Sequence, residues 1–348
     1  MGERDTMKRI LTVCFALLLV TALMVGCTGK NADPSPASTD PVTPSNNEST
    51  ANNDSNGSDK VFKIGVVQLV EHAALDASYQ GFVDGLAEAG YEEGKNIKID
   101  YQNAQGEQAN CNTIASKLVN DKNDLILAIA TPAAQAVANA TKDIPILVTA
   151  VTDPADAKLV ASNEAPGGNV SGTSDLTPCE AQIELLTKLV PTAKKVAMLY
   201  NSSESNSAFQ VGLAKKAAAE LGLETVDYTV SSSNEIQQVV ESMIGKVDAI
   251  YAPTDNMIAA GMATVSMVAN ANNIPVIVGE SGMVEQGGLA TYGLSYYELG
   301  KLTGKQAAKV LEGTNPGDMP IEYLQVFDLF VNEEVAKQLN ITIPADLK

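Results

Sequence analysis

Polar side chains recur at six places in the sequence, each directly after an apolar run. Their hydroxyl, amide and carboxylate groups are the kind that orient a small polar ligand by hydrogen bonding. These segments span residues 68–76, 131–133, 149–154, 201–207, 253–256 and 280–282. Taken alone, a pair such as Thr131-Pro132 or Thr254-Asp255 is equally consistent with a helix N-terminus. The complete set favours a ligand site if it lines one cleft.

The charged residues near these segments limit the charge of the ligand. No arginine follows residue 9, so no guanidinium can clamp a carboxylate or a phosphate. Lys158 is the only cation near the segments, and a single anionic group would have to rest on N–H groups at helix N-termini. The absence of Trp weakens a sugar site without excluding it. A zwitterion fits best, with its ammonium on a carboxylate such as Asp255, Glu280 or Asp153.

Enzymatic, metal-binding and nucleic-acid functions lack the residues that they need. His72 is the only histidine and no thiolate pair accompanies it, so we predict no metal site. The sequence contains neither a G-x-S-x-G elbow nor a G-x-G-x-x-G fingerprint, so we predict no enzyme activity and no cofactor. The net charge of −19 argues against a nucleic-acid partner, since a phosphate backbone requires a basic surface.

Apolar runs alternate with helical stretches between residues 61 and 280. Several runs are continuously apolar, as is typical of parallel strands buried on both faces, and the pattern predicts a doubly wound α/β fold. Ligands meet such sheets at the carboxyl ends of the strands, where the polar segments lie. The predicted strands are residues 61–69, 96–104, 124–130, 145–151, 195–200, 224–230, 248–253 and 275–280.

The alternating units form two groups, which predicts two doubly wound parallel-sheet lobes. Three extended passages connect the groups, at residues 167–175, 287–298 and 321–331, and a helix at 299–312 separates the last two. Two lobes joined by three crossover strands are the layout of a hinged, cleft-forming binding protein. We expect the lobes at residues 60–172 plus 296–323 for lobe 1 and 173–295 plus 324–348 for lobe 2.

The N-terminus has the features of an export signal and a tether. Residues 7–27 contain a basic start, an apolar run and Gly26-Cys27, which resembles the bacterial lipobox whose cysteine is diacylated. We therefore predict a signal peptide over residues 1–27 with lipidation at Cys27. Residues 28–59 are rich in Ser, Thr, Asn, Asp and Pro, which predicts a disordered tether. The protein is expected outside the cytoplasm, lipid-anchored to the bacterial cell membrane. Whether Cys111 and Cys179 pair stays open.

Several runs together resemble the ABC-transporter substrate-binding lipoproteins whose characterised members bind tryptophan or tyrosine. They include ATPAAQA, AVTDPADAKLV, PGGNVSGTSD, LYNSSESNS and YAPTDN. The resemblance implies a type I periplasmic-binding-protein fold that closes around an aromatic amino acid and delivers it to a permease driven by an ATPase. A sugar- or nucleoside-binding ABC component and a surface adhesin or interaction lipoprotein are the alternatives. The ligand contacts that the resemblance implies are Gln68, Glu71, His72, Thr131, Pro132, Thr152, Asp153, Asn201, Ser203, Glu204, Asn206, Ser207, Thr254, Asp255, Asn256 and Glu280.

Overall fold

A computed structural model describes residues 60–347. The predicted signal peptide, Cys27 and the tether of residues 28–59 lie outside the described residues. The first elements alternate strictly between strand and helix until the last two strands. They are β1 (Phe62–Gln68), α1 (Ala73–Glu88), β2 (Ile97–Asn103), α2 (Gln108–Asn120), β3 (Leu125–Ile129), α3 (Thr131–Ala140), β4 (Ile146–Val151) and β5 (Val170–Ser174).

A second alternating series follows. Its elements are α4 (Cys179–Leu189), β6 (Lys195–Asn201), α5 (Ser205–Glu220), β7 (Glu224–Val230), α6 (Ile236–Glu241), β8 (Ala249–Ala252), α7 (Asn256–Ala260), α8 (Met262–Ala271), β9 (Val276–Val278), α9 (Ser281–Glu285) and β10 (Ala290–Gly293). The described chain ends with α10 (Tyr296–Leu311), β11 (Glu322–Tyr323), β12 (Asp328–Val331) and α11 (Glu333–Gln338).

The strands form two six-stranded sheets, in the orders β11-β5-β4-β3-β1-β2 and β12-β10-β9-β8-β6-β7. All pairings are parallel except the antiparallel pair of β10 and β12. Every residue of β3 and β4 is buried, because helices cover both faces of the sheet. The predicted fold class, two doubly wound α/β lobes joined by three crossings, is confirmed. The crossings run from β5 to α4, from β10 to α10 and from β11 to β12.

The predictions for the last two passages need correction. Residues 321–331 form two short strands rather than one, because β11 pairs with β5 of the first sheet and β12 pairs with β10 of the second. Between them the chain passes from one sheet to the other, and Val326 is 66% exposed. In the passage 287–298, Ser295 accepts a hydrogen bond from the N–H of Glu298, so α10 begins at Tyr296 and not at residue 299.

Four glycines bring α1 and α10 into direct backbone contact. A side chain at Gly81 or Gly85 would overlap the backbone of α10, and a side chain at Gly300 or Gly304 would overlap the backbone of α1. Only glycine permits such a close approach. The contact fixes the first turn of α10, which follows the second crossing, against the first lobe.

The two cysteines of the described chain are separate. Cys111 packs in the core of the first lobe and Cys179 in that of the second, and both are buried free thiols. The question that the sequence left open is thereby answered for this structure. Among residues 60–347, no helix combines the length and apolar character needed to cross a membrane.

Candidate ligand site

A small, nearly filled cavity lies where strands of both lobes end. The first lobe contributes the start of α1 and the end of β4, and the second contributes the starts of α7 and α9. One residue from each of the first two crossings completes the wall. The cavity is lined by His72, Leu75, Ala150, Asp175, Thr254, Asp255, Asn256, Ala259, Glu280 and Tyr296.

Two of the three carboxylates in this wall are already engaged within the second lobe. Asp255 caps α7 by accepting the N–H of Ile258 at 2.8 Å, and its other oxygen accepts the N–H of Asn201 and the hydroxyl of Ser207, both at 2.7 Å. Glu280 caps α9 by accepting the N–H groups of the second and third residues after it, at 2.5 and 2.9 Å. Both residues therefore position helix starts at the cavity.

Asp175 is the carboxylate in this wall with one oxygen that accepts no hydrogen bond from the described residues. It lies on the first crossing, is 3% exposed, and its Oδ2 accepts a hydrogen bond of 2.7 Å from the hydroxyl of Tyr296 on the second crossing. Its Oδ1 is buried and has no hydrogen-bond partner among the described residues. A buried carboxylate oxygen of this kind costs free energy unless a donor meets it. Asp175 was not among the residues predicted from the sequence.

The electrostatics of the cavity are acidic. Among the described residues, none that lines it is Lys or Arg. Burial raises the pKa of Asp175 to about 6, against the opposing effect of the Tyr296 and Thr152 hydroxyls, and burial raises the pKa of Glu280 to about 7. Burial lowers the pKa of His72 to about 4, so this side chain is neutral at pH 7. The cavity therefore suits a ligand that brings a positive charge.

Glu204 does not line the cavity but holds the residues at the start of α7 that do. Its carboxylate accepts the backbone N–H and the side-chain amide of Asn256, at 3.3 and 2.5 Å, and the N–H of Met257 at 3.2 Å. Burial and the neighbouring Asp255 raise the pKa of Glu204. The Oδ1 atom of Asn256 then lies 3.4 Å from Nε2 of His72, which belongs to the other lobe. This pair is one of the direct polar contacts between the lobes.

A second, still smaller cleft is lined by residues of both lobes. Thr131, Asp153 and Asn206 of the predicted set line it, together with Phe209. The Thr131 hydroxyl and the Oδ1 atom of Asn206 are buried without a partner among the described residues. Asp153 instead accepts hydrogen bonds from the two N–H groups of the turn that follows it and from the Asn163 amide. This makes Asp153 a turn-forming residue.

Gln210 connects the two lobes and was missed in the sequence. Its Nε2 donates to the hydroxyls of Thr152 in the first lobe, at 3.3 Å, and of Thr254 in the second, at 2.7 Å. It lies in the middle of α5, where periodicity gives no signal that distinguishes it from a core position.

The backbone has a second feature without a sequence signal. Ala130 and Ala150, at the strand ends, adopt positive φ angles of 80° and 53°. Strain of this kind occurs where surrounding structure demands it.

The structure divides the predicted contacts into three groups. Five line the main cavity, namely His72, Thr254, Asp255, Asn256 and Glu280. Three line the smaller one, namely Thr131, Asp153 and Asn206. The remaining residues line neither. Glu71 and Ser203 are exposed, and the others are buried near the strand ends: Gln68, Pro132, Thr152, Asn201, Glu204 and Ser207.

Two α/β lobes joined by three crossings, with a polar cavity that both lobes line at their strand ends, define a binding protein of the type I periplasmic class. The chain belongs to the family described as ABC transporter substrate binding protein, whose sequence model matches residues 63–348. The family consists of extracytoplasmic binding proteins for small molecules rather than enzymes. The predicted family is thereby confirmed.

Three relatives are informative. The chain is 44% identical to the tyrosine-binding protein of Clostridioides difficile, over 96% of this chain and 93% of that one. It is 43% identical to a Streptococcus pneumonia ABC domain solved with L-Trp, which covers 83% of this chain and 97% of that one with a TM-score of 0.81. It is 49% identical to a Clostridium difficile substrate-binding protein with adhesive properties, solved ligand-free and open, which covers 82% and 97% with a TM-score of 0.64.

Proposed function

We propose that the protein is the substrate-binding lipoprotein of an ABC importer and captures an aromatic amino acid, tyrosine or tryptophan, between its lobes. The observation that carries this proposal is the buried, unpartnered Oδ1 of Asp175 in a cavity without a Lys or Arg in its wall. An α-ammonium group supplies both the donor and the positive charge that this oxygen needs. The relatives named for tyrosine and solved with L-Trp support the aromatic side chain.

The helix starts suggest the orientation of the zwitterion. In the second lobe, Asp255 and Glu280 already cap α7 and α9. In the first lobe, α1 begins at the cavity without a side-chain cap, so its first N–H groups are available to a carboxylate. We therefore place the ligand ammonium on Asp175 and its carboxylate at the start of α1. This revises the assignment of the ammonium to Asp255, Glu280 or Asp153 that the sequence favoured.

Lobe closure is the mechanism that we propose for capture. The open, ligand-free relative is more identical to this chain than the L-Trp-bound one, yet superposes less well, with TM-scores of 0.64 and 0.81. A difference in lobe arrangement accounts for that reversal, and it supports a closed form in which His72 contacts Asn256 and Gln210 contacts Thr152. A ligand held by both lobes would shift the population toward this form.

The lipid anchor and the lobe boundaries are part of the same proposal. Diacylation of Cys27 and a tether over residues 28–59 would hold the binding domain near its permease and ATPase partners. For the lobes we keep the limits proposed from the sequence, with breaks after residues 172, 295 and 323. Mass spectrometry of the membrane-extracted protein would test the anchor, since an unmodified Cys27 would contradict it.

Binding of ligands by the refolded protein tests the proposed substrate. The protein is unfolded and refolded to remove carried-over ligand, then heated with each of the twenty amino acids, with sugars and with nucleosides. A ligand at a hundred times its dissociation constant adds about 2.7 kcal/mol, which raises Tm by several degrees. We expect a shift with tyrosine or tryptophan. A shift confined to a sugar or a nucleoside would overturn the ligand but keep the transport role.

Adhesion is a second candidate, because the relative at 49% identity is described as having adhesive properties. The two functions can be separated with a variant that does not bind amino acids. If such a variant supports attachment of cells as well as the wild type does, adhesion uses a different surface. If wild-type protein supports no attachment, the second function is excluded for this chain.

A further inference from the structure

The hydrogen bond between Tyr296 and Asp175 joins two of the three crossings. Asp175 directly follows β5 on the first crossing, and Tyr296 is the first residue of α10 after the second crossing. The bond is 2.7 Å long, and Asp175 is 3% exposed and Tyr296 5% exposed. Both side chains also line the main cavity. A ligand in this cavity therefore touches the point at which the two crossings are tied together.

The position of Tyr296 is set independently of the cavity. Its helix, α10, packs against α1 through Gly300 and Gly304, whose Cβ positions the α1 backbone would obstruct. This close contact fixes the first turn of α10 and hence the Tyr296 ring. Because the ring is rigidly held, its hydroxyl can fix the position of the carboxylate that accepts its hydrogen bond.

We propose that Tyr296 is a positioning residue, whose hydroxyl holds Oδ2 of Asp175 so that Oδ1 faces the ligand ammonium and links ligand binding to the first two crossings. The inference rests on the proposed role of Asp175 in binding an amino acid. Tyr296 would then act on affinity mainly through Asp175, even though its ring also lines the cavity.

The pH dependence of affinity distinguishes this role from a purely structural one. The Tyr296 hydroxyl lowers the pKa of Asp175, which burial raises to about 6. Loss of the hydroxyl raises this pKa further, so at pH 6 a smaller fraction of Asp175 is ionised and able to accept an ammonium. The other groups that face Asp175 are His72, Asp255, Glu280 and the Thr152 hydroxyl, with Cys179 nearby at the start of α4. All of these are present in the variant as well, so the affinity ratio of variant to wild type isolates the effect.

The chain offers a matched control one residue away. Tyr297 donates a hydrogen bond of 2.8 Å to Asp84 on the outer side of the same helix contact. Tyr296→Phe and Tyr297→Phe each remove one Tyr–Asp hydrogen bond and leave the ring in place. We would measure the dissociation constants of L-tyrosine and L-tryptophan by calorimetry at pH 6 and pH 8 for wild type and both variants.

We expect Tyr296→Phe to raise the dissociation constant about tenfold at pH 8, the loss of one hydrogen bond to a charged group, and by more at pH 6. Tyr297→Phe should match the wild type at both values. A ratio of Tyr296→Phe to wild type that is near one, or equal at the two pH values, would overturn the inference while leaving the proposed function in place. If the wild type itself binds neither amino acid, the proposed function fails first.

A second comparison covers the case in which Tyr296→Phe does not fold. We would compare the single variant Asp175→Asn with the double variant that also carries Tyr296→Phe. Both lack the buried acid, so an unpaired carboxylate cannot destabilise the double variant. If Tyr296 acts through the charge of Asp175, the two proteins should bind ligand equally weakly at both pH values. A further tenfold loss in the double variant would show that Tyr296 contributes by itself and would refute the proposal.

Discussion

Replacement of Asp175 by Asn is expected to change stability and affinity in opposite directions. The closed arrangement without ligand holds Asp175 in a buried site that raises its pKa from 3.8 to about 6. Above pH 6 this arrangement therefore carries an ionised carboxylate with an unpartnered oxygen. Asn cannot ionise and keeps an oxygen for the Tyr296 hydroxyl, so the variant avoids the cost of the buried charge, although its amide nitrogen takes the place of the unpartnered oxygen.

The magnitudes follow from that pKa and from the loss of the ion pair. A rise from 3.8 to about 6 corresponds to roughly 3 kcal/mol, because each pKa unit is worth about 1.36 kcal/mol. At pH 8 the ligand-free variant should gain stability up to this amount, with a Tm higher by several degrees. Binding should weaken at least a hundredfold, or about 2.7 kcal/mol, since the ammonium would be buried without its counter-charge.

Differential scanning calorimetry without ligand and titration calorimetry with L-tyrosine or L-tryptophan measure the two effects. Asp84→Asn is the matched control, because Asp84 also accepts a tyrosine hydroxyl but lies outside the cavity. We expect this control to bind ligand as the wild type does. The reasoning is refuted if Asp175→Asn binds within a few-fold of the wild type, or if it loses stability at pH 8 while Asp84→Asn does not.

Three further predictions concern the same fold. Asp255→Ala should lower the free energy of unfolding by about 2 kcal/mol or more, because it removes a helix cap and the acceptor of the buried Ser207 hydroxyl; chemical denaturation measures this, and an unchanged midpoint would contradict the capping role. Gly85→Ala should strongly destabilise the protein because its methyl group would overlap the α10 backbone, whereas Gly212→Ala, with open space around it in α5, should stabilise by up to about 1 kcal/mol in the same assay. Stability without ligand should fall between pH 5 and pH 8, because Asp175 and Glu280, with pKa values of about 6 and about 7 in the folded state, hold protons that the unfolded chain has released; thermal unfolding at pH 5 and pH 8 tests this sign.

The strand pattern was sufficient to predict most of the fold. All eight strands predicted between residues 61 and 280 are present, because short apolar or β-branched runs between helical stretches are typical of strands. The prediction failed where local sequence does not decide pairing. In residues 321–331 each half is extended, and only the positions of β5 and β10 determine that the halves join different sheets. Such partners are far apart in sequence.

The site was predictable at the strand ends but not on the crossings. His72, Asp255 and Glu280 follow strands, where a doubly wound fold places ligand contacts, and all three line the cavity. Their hydrogen bonds could not be foreseen, since an N-cap and a ligand carboxylate have the same residue type. Asp175 follows a short Gly- and Ser-rich passage whose role depends on where the second crossing places Tyr296. That juxtaposition is a property of the tertiary fold alone.

The acidic cavity also explains how closure can depend on the ligand. In the proposed closure, Asp175, Asp255 and Glu280 surround one small space, and the oxygens of Asp255 and Glu280 are met by backbone N–H groups and the Ser207 hydroxyl. Asp175 keeps one oxygen unmet, so closure without a donor carries a cost that an ammonium removes. A neutral sugar can offer a hydroxyl but no counter-charge. Differential affinity for the closed form is therefore largest for a ligand with an amino group, which favours an amino acid over a sugar in this site.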